Sequence, residues 1–374
     1  MNISDYLSTK AKTLRPYTAG LQPQEPGWIK LNTNENPYPP SPNVYEAIQT
    51  ADIAKLCLYP DGDSSALRQA IADGLNAGTV LSMDESVREL SLTVDNIFCG
   101  NGSDEVLALA FQAFFSGKTN VHTPDISYGF YPVWGKMYDV GLTMQPVNDD
   151  FSINIRPYKD ASGVIIANPN APTSLALGLE GIEQILQQNP KGVVLVDEAY
   201  IDFANVQTAV SLIKNAPNLL IVRTFSKSHS LAGMRVGYAI GHLGLIAALR
   251  LVRDAFNSYP LDMLSQKAAT VAIKDRAYLA KTIENTITTR NKTTTGLQFM
   301  GYRVLPSQTN FILMETPLAG CLYDYLLQNK ILVRYWNTPR LANYLRVTIG
   351  TNTEMEAFLQ CVQEFTLAKQ GKQT

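Results

Sequence analysis

Three short apolar runs rich in β-branched residues punctuate the middle of the chain, at residues 163–167 (GVIIA), 192–196 (GVVLV) and 219–222 (LLIV). None alternates with polar residues. Each would therefore bury both faces, as strands of a parallel sheet covered by helices do. Residues 96–99 read as the end of another short strand. Between the runs lie segments long enough for helices. Leu67, Ala70, Ile71 and Leu75 share one face of a helix predicted over residues 64–75, and Val106, Leu109, Ala110, Ala113 and Phe114 fall at the same spacing. The pattern predicts α/β architecture, a large doubly wound, mostly parallel sheet over residues 46–258. After residue 258 it changes. Helical periodicity runs through 261–297, short strands follow at 302–305, 310–314, 331–335 and 344–349, and a last helix starts near Thr353. This is α+β logic and predicts a smaller C-terminal domain over 259–374. Residues 1–45 remain as an N-terminal arm with a loop, since 31–42 (LNTNENPYPPSP) carries four prolines and three asparagines.

Composition narrows the function classes. The 374 residues allow about two or three domains, and the pattern selects two. With 45% hydrophobic and 17% charged residues the chain is not a disordered polymer. Its formal net charge of −2 offers no bulk attraction to nucleic acid or an anionic membrane. Any anion must be held by a few placed groups. The three histidines (122, 229, 242) and four cysteines (57, 99, 321, 361) show no zinc-like spacing, so no metal is expected, and no disulfide framework. Residues 1–20 lack the apolar core of a signal peptide, and the most apolar stretch, 243–252, is short and broken by Arg250. A cytoplasmic protein is expected.

Four loops follow predicted strands, at the end of an open α/β sheet where ligands bind. Gly100-Asn101-Gly102-Ser103-Asp104-Glu105 lets backbone amides approach a phosphate at a helix start. With Val106 in place of a third glycine it is not a dinucleotide fingerprint, and alone it equally describes a glycine turn with an N-cap. Asp197-Glu198-Ala199-Tyr200 puts an acid at the end of a buried strand, where it needs a donor or a cation unless it simply caps a helix. Asn168-Pro169-Asn170-Ala171-Pro172-Thr173-Ser174 is a rigid turn. Lys227 sits among small hydroxyl residues in Thr224-Phe225-Ser226-Lys227-Ser228. Desolvation beside other cations would lower its pKa and make it a Schiff-base nucleophile, with Arg235 a fixed fork for a phosphate. His229, next along, reads as a loop residue.

In this order the four loops resemble the fold-type I pyridoxal-phosphate enzymes, the aspartate aminotransferase superfamily, over nearly the whole chain. Asn34-Glu35-Asn36-Pro37, Tyr59-Pro60-Asp61, Thr224–Lys227 and Leu345-Arg346-Val347-Thr348-Ile349-Gly350 are similar to the histidinol-phosphate aminotransferases within it. The resemblance implies pyridoxal 5'-phosphate as cofactor. Lys227 would carry it covalently and move protons, Asp197 would pair with the ring nitrogen, and Tyr200 would donate to the phenolic oxygen. Tyr128 would stack on the ring. The phosphate would rest on Gly102, Ser103 and Asp104, with Ser226 and Arg235 completing the cup. The family's loop is usually NPNNPTG, and its asparagine before Pro-Thr bonds the phenolic oxygen. Here that residue is Ala171, leaving Asn170, Asn168 or a water to take over.

On the substrate side the resemblance implies Tyr17, Asn36, Arg334 and Arg346. The two arginines and Tyr17 would bind a substrate phosphate, and Arg346 the carboxylate of the amino-acid partner. Arg346 also stands on the face of its strand opposite Leu345, Val347 and Ile349, and a covered arginine wants an anion. Tyr59 would reach the cofactor phosphate of a neighbouring subunit, implying a homodimer with shared sites. The implied reaction is transamination between L-histidinol phosphate and 2-oxoglutarate, in histidine biosynthesis. The rivals are a threonine-phosphate decarboxylase and an aromatic amino-acid aminotransferase. A cofactor-binding regulator from another class would need an appended DNA-binding module.

Overall fold

The computed structural model describes residues 6–18, 20–78 and 91–370, so part of the 1–20 stretch and the last four residues lie outside it. A two-residue strand, β1 (Ile29–Lys30), precedes seven strands of one large sheet: β2 (Ile97–Asn101), β3 (Val121–Pro124), β4 (Leu142–Gln145), β5 (Gly163–Ala167), β6 (Val193–Asp197), β7 (Leu219–Thr224) and β8 (Val236–Gly241). Their order is β2-β8-β7-β6-β5-β3-β4. From β7 to β4 every pairing is parallel, whereas β8 runs antiparallel to both its neighbours. The apolar runs are buried on both faces, as expected. Val164, Ile166, Val194 and Val196 enter the core on one side, and Ile165, Leu195, Leu220 and Val222 the core on the other. That split is the period-2 alternation of a strand, with each residue fully covered.

The pattern did not predict β1, β3, β4 or β8, and β8 shows why. Its VGYAIG sequence has two glycines, which weaken strand propensity, yet one is required. A Cβ on Gly237 would run into the backbone of Gly102 and Ser103. The glycine lets β8 lie against the loop at the end of β2.

The C-terminal third forms a four-stranded antiparallel sheet, β9 (Arg303–Val304), β10 (Phe311–Glu315), β12 (Arg334–Tyr335) and β13 (Tyr344–Thr348), in the order β12-β13-β10-β9. The single strand expected at 331–335 is split. β11 (Ile331–Leu332) leaves this sheet to pair in parallel with β1, while Arg334 pairs opposite Arg346. The helical pattern at 261–297 is two helices, Met263–Lys274 and Arg276–Phe299, divided at Asp275, whose carboxylate accepts the Tyr278 N–H at 3.3 Å. Ile312, Met314, Leu345 and Val347 face the core beneath the small sheet. The alternate residues Phe311 and Arg346 look the other way, toward the carboxyl ends of β5–β7. Residues 31–36 cross between the sheets: Thr348 N–H donates to Leu31 O, and Asn310 Nδ2 donates to Asn34 O at 3.0 Å.

Candidate active site

The parallel register puts Ala167 beside Asp197, and Asp197 beside Val222, so the loops after β5, β6 and β7 converge. Asp197 ends β6 and is 5% exposed. Its Oδ2 accepts the Tyr131 hydroxyl at 2.9 Å and its Oδ1 the Ala199 N–H at 3.1 Å. Neither partner is a cation, and burial pushes the carboxyl up to about 6 despite both hydrogen bonds. Tyr131 is a member of the site that sequence reasoning missed. Its only signal was its place three residues after Tyr128 at a helix start. Lys227, just past β7, donates from Nζ to Thr33 O at 3.2 Å and lies 5.8 Å from the centre of the Tyr200 ring. Burial, reinforced by the Arg346 charge, brings its ammonium down to about 8. A neutral fraction of about a tenth at pH 7, against well under a thousandth for an ordinary lysine, makes it a competent nucleophile.

At the end of β2, Gly102 has φ +77°, and a Cβ there would stand 2.5 Å from Arg235 Nη2. The positive φ calls for glycine, and a Cβ would also push the end of the Arg235 side chain aside. Ser103, Asp104, Ser226 and Arg235 line the same cavity of about 100 Å³, together with Tyr128, Asp197, Tyr200 and Lys227. Arg235 is held by Asp104 at 3.2 Å, and Tyr128 donates its hydroxyl to the same carboxylate at 2.8 Å.

Asn168 and Asn170 do not take the place of the asparagine missing at residue 171, which corrects the expectation for both. Asn168 bonds the backbone of Leu177 through both ends of its amide, at 2.8 and 3.1 Å. Asn170 donates to Ile126 O and Thr173 Oγ1 and accepts the Ser127 hydroxyl. Both amides are spent holding the loop. The partner of the Tyr200 hydroxyl is Asn34, whose Nδ2 donates to Oη at 2.9 Å.

Tyr128, Ala171 and Tyr200 also line a second cavity of about 340 Å³, shared with Tyr17, Trp336 and Arg346. The Arg346 guanidinium lies between the rings of Phe311 and Trp336, 5.3 and 5.2 Å from their centres. Nη2 donates to Asn32 O at 2.7 Å, while the buried Nε has no partner among the described residues. Tyr17 stacks on Phe130 at 4.4 Å. Arg334 donates to Thr18 O and also stands over Trp336, at 5.3 Å. Trp336, which binds the two arginines into one wall, carried no sequence signal. Asn36 does not face either cavity: its amide donates to Ser228 O and accepts Tyr38 N–H, pinning the loop that carries Lys227. Tyr59 is 82% exposed, stacked on Tyr259 outside its own chain's chamber.

The family model for aminotransferase class I and II matches residues 26–362. The chain belongs to this family. It is similar to the histidinol-phosphate aminotransferase of Clostridium botulinum strain Okra, at 45% identity over 97% of this chain and 99% of that protein. The protein of the same name from Brachyspira hyodysenteriae is 44% identical over 96% and 99%. Among solved structures, histidinol-phosphate aminotransferase from Sinorhizobium meliloti, in complex with pyridoxal-5'-phosphate, superposes with a TM-score of 0.79 at 24% identity, covering 91% of each chain. L-threonine-O-3-phosphate decarboxylase from Porphyromonas gingivalis gives 0.74 at 21% identity, covering 90% of this chain and 99% of that one. At such identities the structures speak for the fold alone. A large, mostly parallel α/β sheet with a smaller α+β C-terminal domain is what the pattern predicted, and the aminotransferase fold is what the resemblance implied.

The aminotransferase's chamber fits pyridoxal phosphate on its own chemistry. A buried carboxylate without a cation suits a protonated ring nitrogen. A lysine amine with depressed basicity suits a covalent link, and a glycine cradle beside an arginine suits a phosphate.

Proposed function

We propose that this aminotransferase moves an amino group from glutamate to imidazole acetol phosphate, giving L-histidinol phosphate and 2-oxoglutarate, with pyridoxal 5'-phosphate as cofactor. The observation that carries the reading is 45% identity, over 97% of the chain, to proteins named for this activity. The threonine-phosphate decarboxylase matches at 21%, a level that supports shared fold and not shared reaction.

When bound, the cofactor supplies an electron-withdrawing ring that acidifies the hydrogen on the substrate's amine-bearing carbon. Lys227 would hold the cofactor through its amine and would serve as the base that moves this hydrogen as a proton. Asp197, held by the Tyr131 hydroxyl, would pair with the ring nitrogen. Tyr200 would donate to the phenolic oxygen, and Tyr128 would cover the ring. Gly102, Ser103 and Asp104 present backbone amides to the phosphate, joined by Ser226 and Arg235. Arg346, Tyr17 and Arg334 form the anion-binding wall for substrate. The buried Arg346 Nε supports that role, since an unpaired buried donor is costly until an acceptor arrives.

Two copies of the chain complete the sites. Tyr59 supports this reading: it is exposed together with Ile53, Leu56 and Leu58 in one segment, an apolar surface of the kind that marks an interface. Four free cysteines accord with a cytoplasmic location.

The test gives the purified protein, loaded with pyridoxal phosphate, three separate substrates. Histidinol phosphate with 2-oxoglutarate is expected to yield glutamate. Phenylalanine with 2-oxoglutarate is expected to yield far less, and threonine phosphate no carbon dioxide. Carbon dioxide release from threonine phosphate overturns the assignment.

A further inference from the structure

Ala171 offers only a methyl group where the loop after β5 meets Tyr200 in the chamber, and the loop's two asparagines are committed to their own backbone. The hydrogen bond to Tyr200 comes instead from the N-terminal segment. Asn34 is 2% exposed and has φ +56°, a left-handed conformation that asparagine tolerates better than most residues. Three contacts fix it. Thr348 Oγ1 accepts the Asn34 N–H at 2.9 Å and donates to Asn34 Oδ1 at 3.1 Å. Asn310 Nδ2 holds the Asn34 carbonyl. Because Oδ1 accepts from Thr348, the other end of the amide must be the donor, and that end lies 2.9 Å from Tyr200 Oη.

A phenol oxygen that accepts this donor cannot point its own hydrogen back at it, so the hydrogen turns to the open side, the chamber that Tyr200 lines. Accepting a hydrogen bond also makes the hydroxyl a stronger donor. We infer that Asn34 is a positioning residue, which aims the Tyr200 hydroxyl hydrogen into the chamber and replaces the polar contact that residue 171 does not supply. The inference rests on the proposal that Tyr200 meets the cofactor's phenolic oxygen. Burial raises the Tyr200 pKa, and the Arg346 charge and the Asn34 hydrogen bond pull against that rise.

The readout is the pH midpoint of the visible absorbance band of the protein loaded with pyridoxal phosphate, which reports how well the phenolic oxygen is stabilised in its ionised form. Asn34→Gly accepts the left-handed backbone without strain and removes only the amide. Asn34→Asp keeps the shape but turns the donor into an acceptor, drawing the Tyr200 hydrogen away. Both are expected to raise the midpoint by about half to one pH unit, about three- to tenfold in the proton equilibrium, with unchanged far-ultraviolet circular dichroism. Adding Ala171→Asn to Asn34→Gly should recover at least half of the shift. In a Tyr200→Phe background Asn34→Gly should shift nothing further.

A midpoint for Asn34→Gly within about 0.1 unit of the parent, an equal shift in the Tyr200→Phe background, or no recovery with Ala171→Asn overturns the inference. Failure of the underlying proposal looks different. In that case Tyr200→Phe by itself leaves the midpoint of the parent unchanged.

Discussion

Asp197 and Lys227 share one chamber and are displaced in opposite directions, both by burial. The Asp197 carboxyl, normally near 3.8, stands at about 6, and the Lys227 ammonium, normally near 10.5, at about 8. For Asp197 the contribution to stability is full below about 4 and is lost as pH rises through 6. For Lys227 it is full above about 10.5 and is lost as pH falls through 8. Between pH 6 and 8 the cofactor-free protein therefore carries both costs, and a ligand with a ring N–H and an aldehyde relieves both. The consequence is a trade between stability and function. Cofactor-free Asp197→Asn should unfold in urea with a free energy about 2 to 3 kcal/mol above the parent at pH 7.5, shrinking to about 1 kcal/mol at pH 4.5, while binding pyridoxal phosphate more weakly. A gain that does not change with pH would mean that the Asp197 charge is not the source.

Next to Asp197 in the chain, Glu198 joins the ends of β6 and β7 through a buried pair. Arg223 reaches Glu198 Oε2 at 2.7 Å, with side chains 5% and 0% exposed, and Thr208 and the Ala209 N–H satisfy the remaining acceptor capacity of the carboxylate. The two strands that lead to Asp197 and Lys227 are thus fixed to one another at their carboxyl ends. Arg223→Met leaves a buried carboxylate uncompensated and should cost about 3 to 5 kcal/mol, whereas Glu198→Gln/Arg223→Met should recover most of it. Urea midpoints of the three proteins test this, and a single variant no worse than the double one contradicts it. The pair also shows where sequence reading stops. The strands carrying Asp197 and Lys227 were legible because a strand buried on both faces has no polar positions to blur its run. Glu198 stood in full view beside Asp197, but its partner lies 25 residues away and only register reveals it. β8 was hidden because Gly237 serves a close approach and not strand propensity. Asn34, Tyr131 and Trp336 act through contacts between elements distant in sequence, so no local spacing could disclose them. The same lack of long-range information misdirected Asn168 and Asn170, which are close to Ala171 in the chain but turned away from Tyr200.

At the scale of the whole molecule, under the proposed function a chain with net charge −2 gathers its anions with a few placed arginines, Arg235 in one cavity and Arg346, with Arg334, at the next. Tyr59 stands outside both. Under the proposed dimer, a working site takes Lys227 from one chain and Tyr59 from the other, a division of labour that mixing can expose. Lys227→Ala homodimers should be inactive, and Tyr59→Ala homodimers should bind the cofactor weakly. When the two proteins are unfolded together and refolded, about half the dimers are mixed, and each mixed dimer has one site with both natural residues and one with neither. About a quarter of all sites should then regain parental affinity for pyridoxal phosphate and parental turnover. Tyr59 acting within its own chain predicts no such recovery, because neither chain carries both residues. Titrating the mixture with cofactor and counting tight sites decides between the two, and a count near zero in a sample that sediments as a dimer would remove Tyr59 from the shared site.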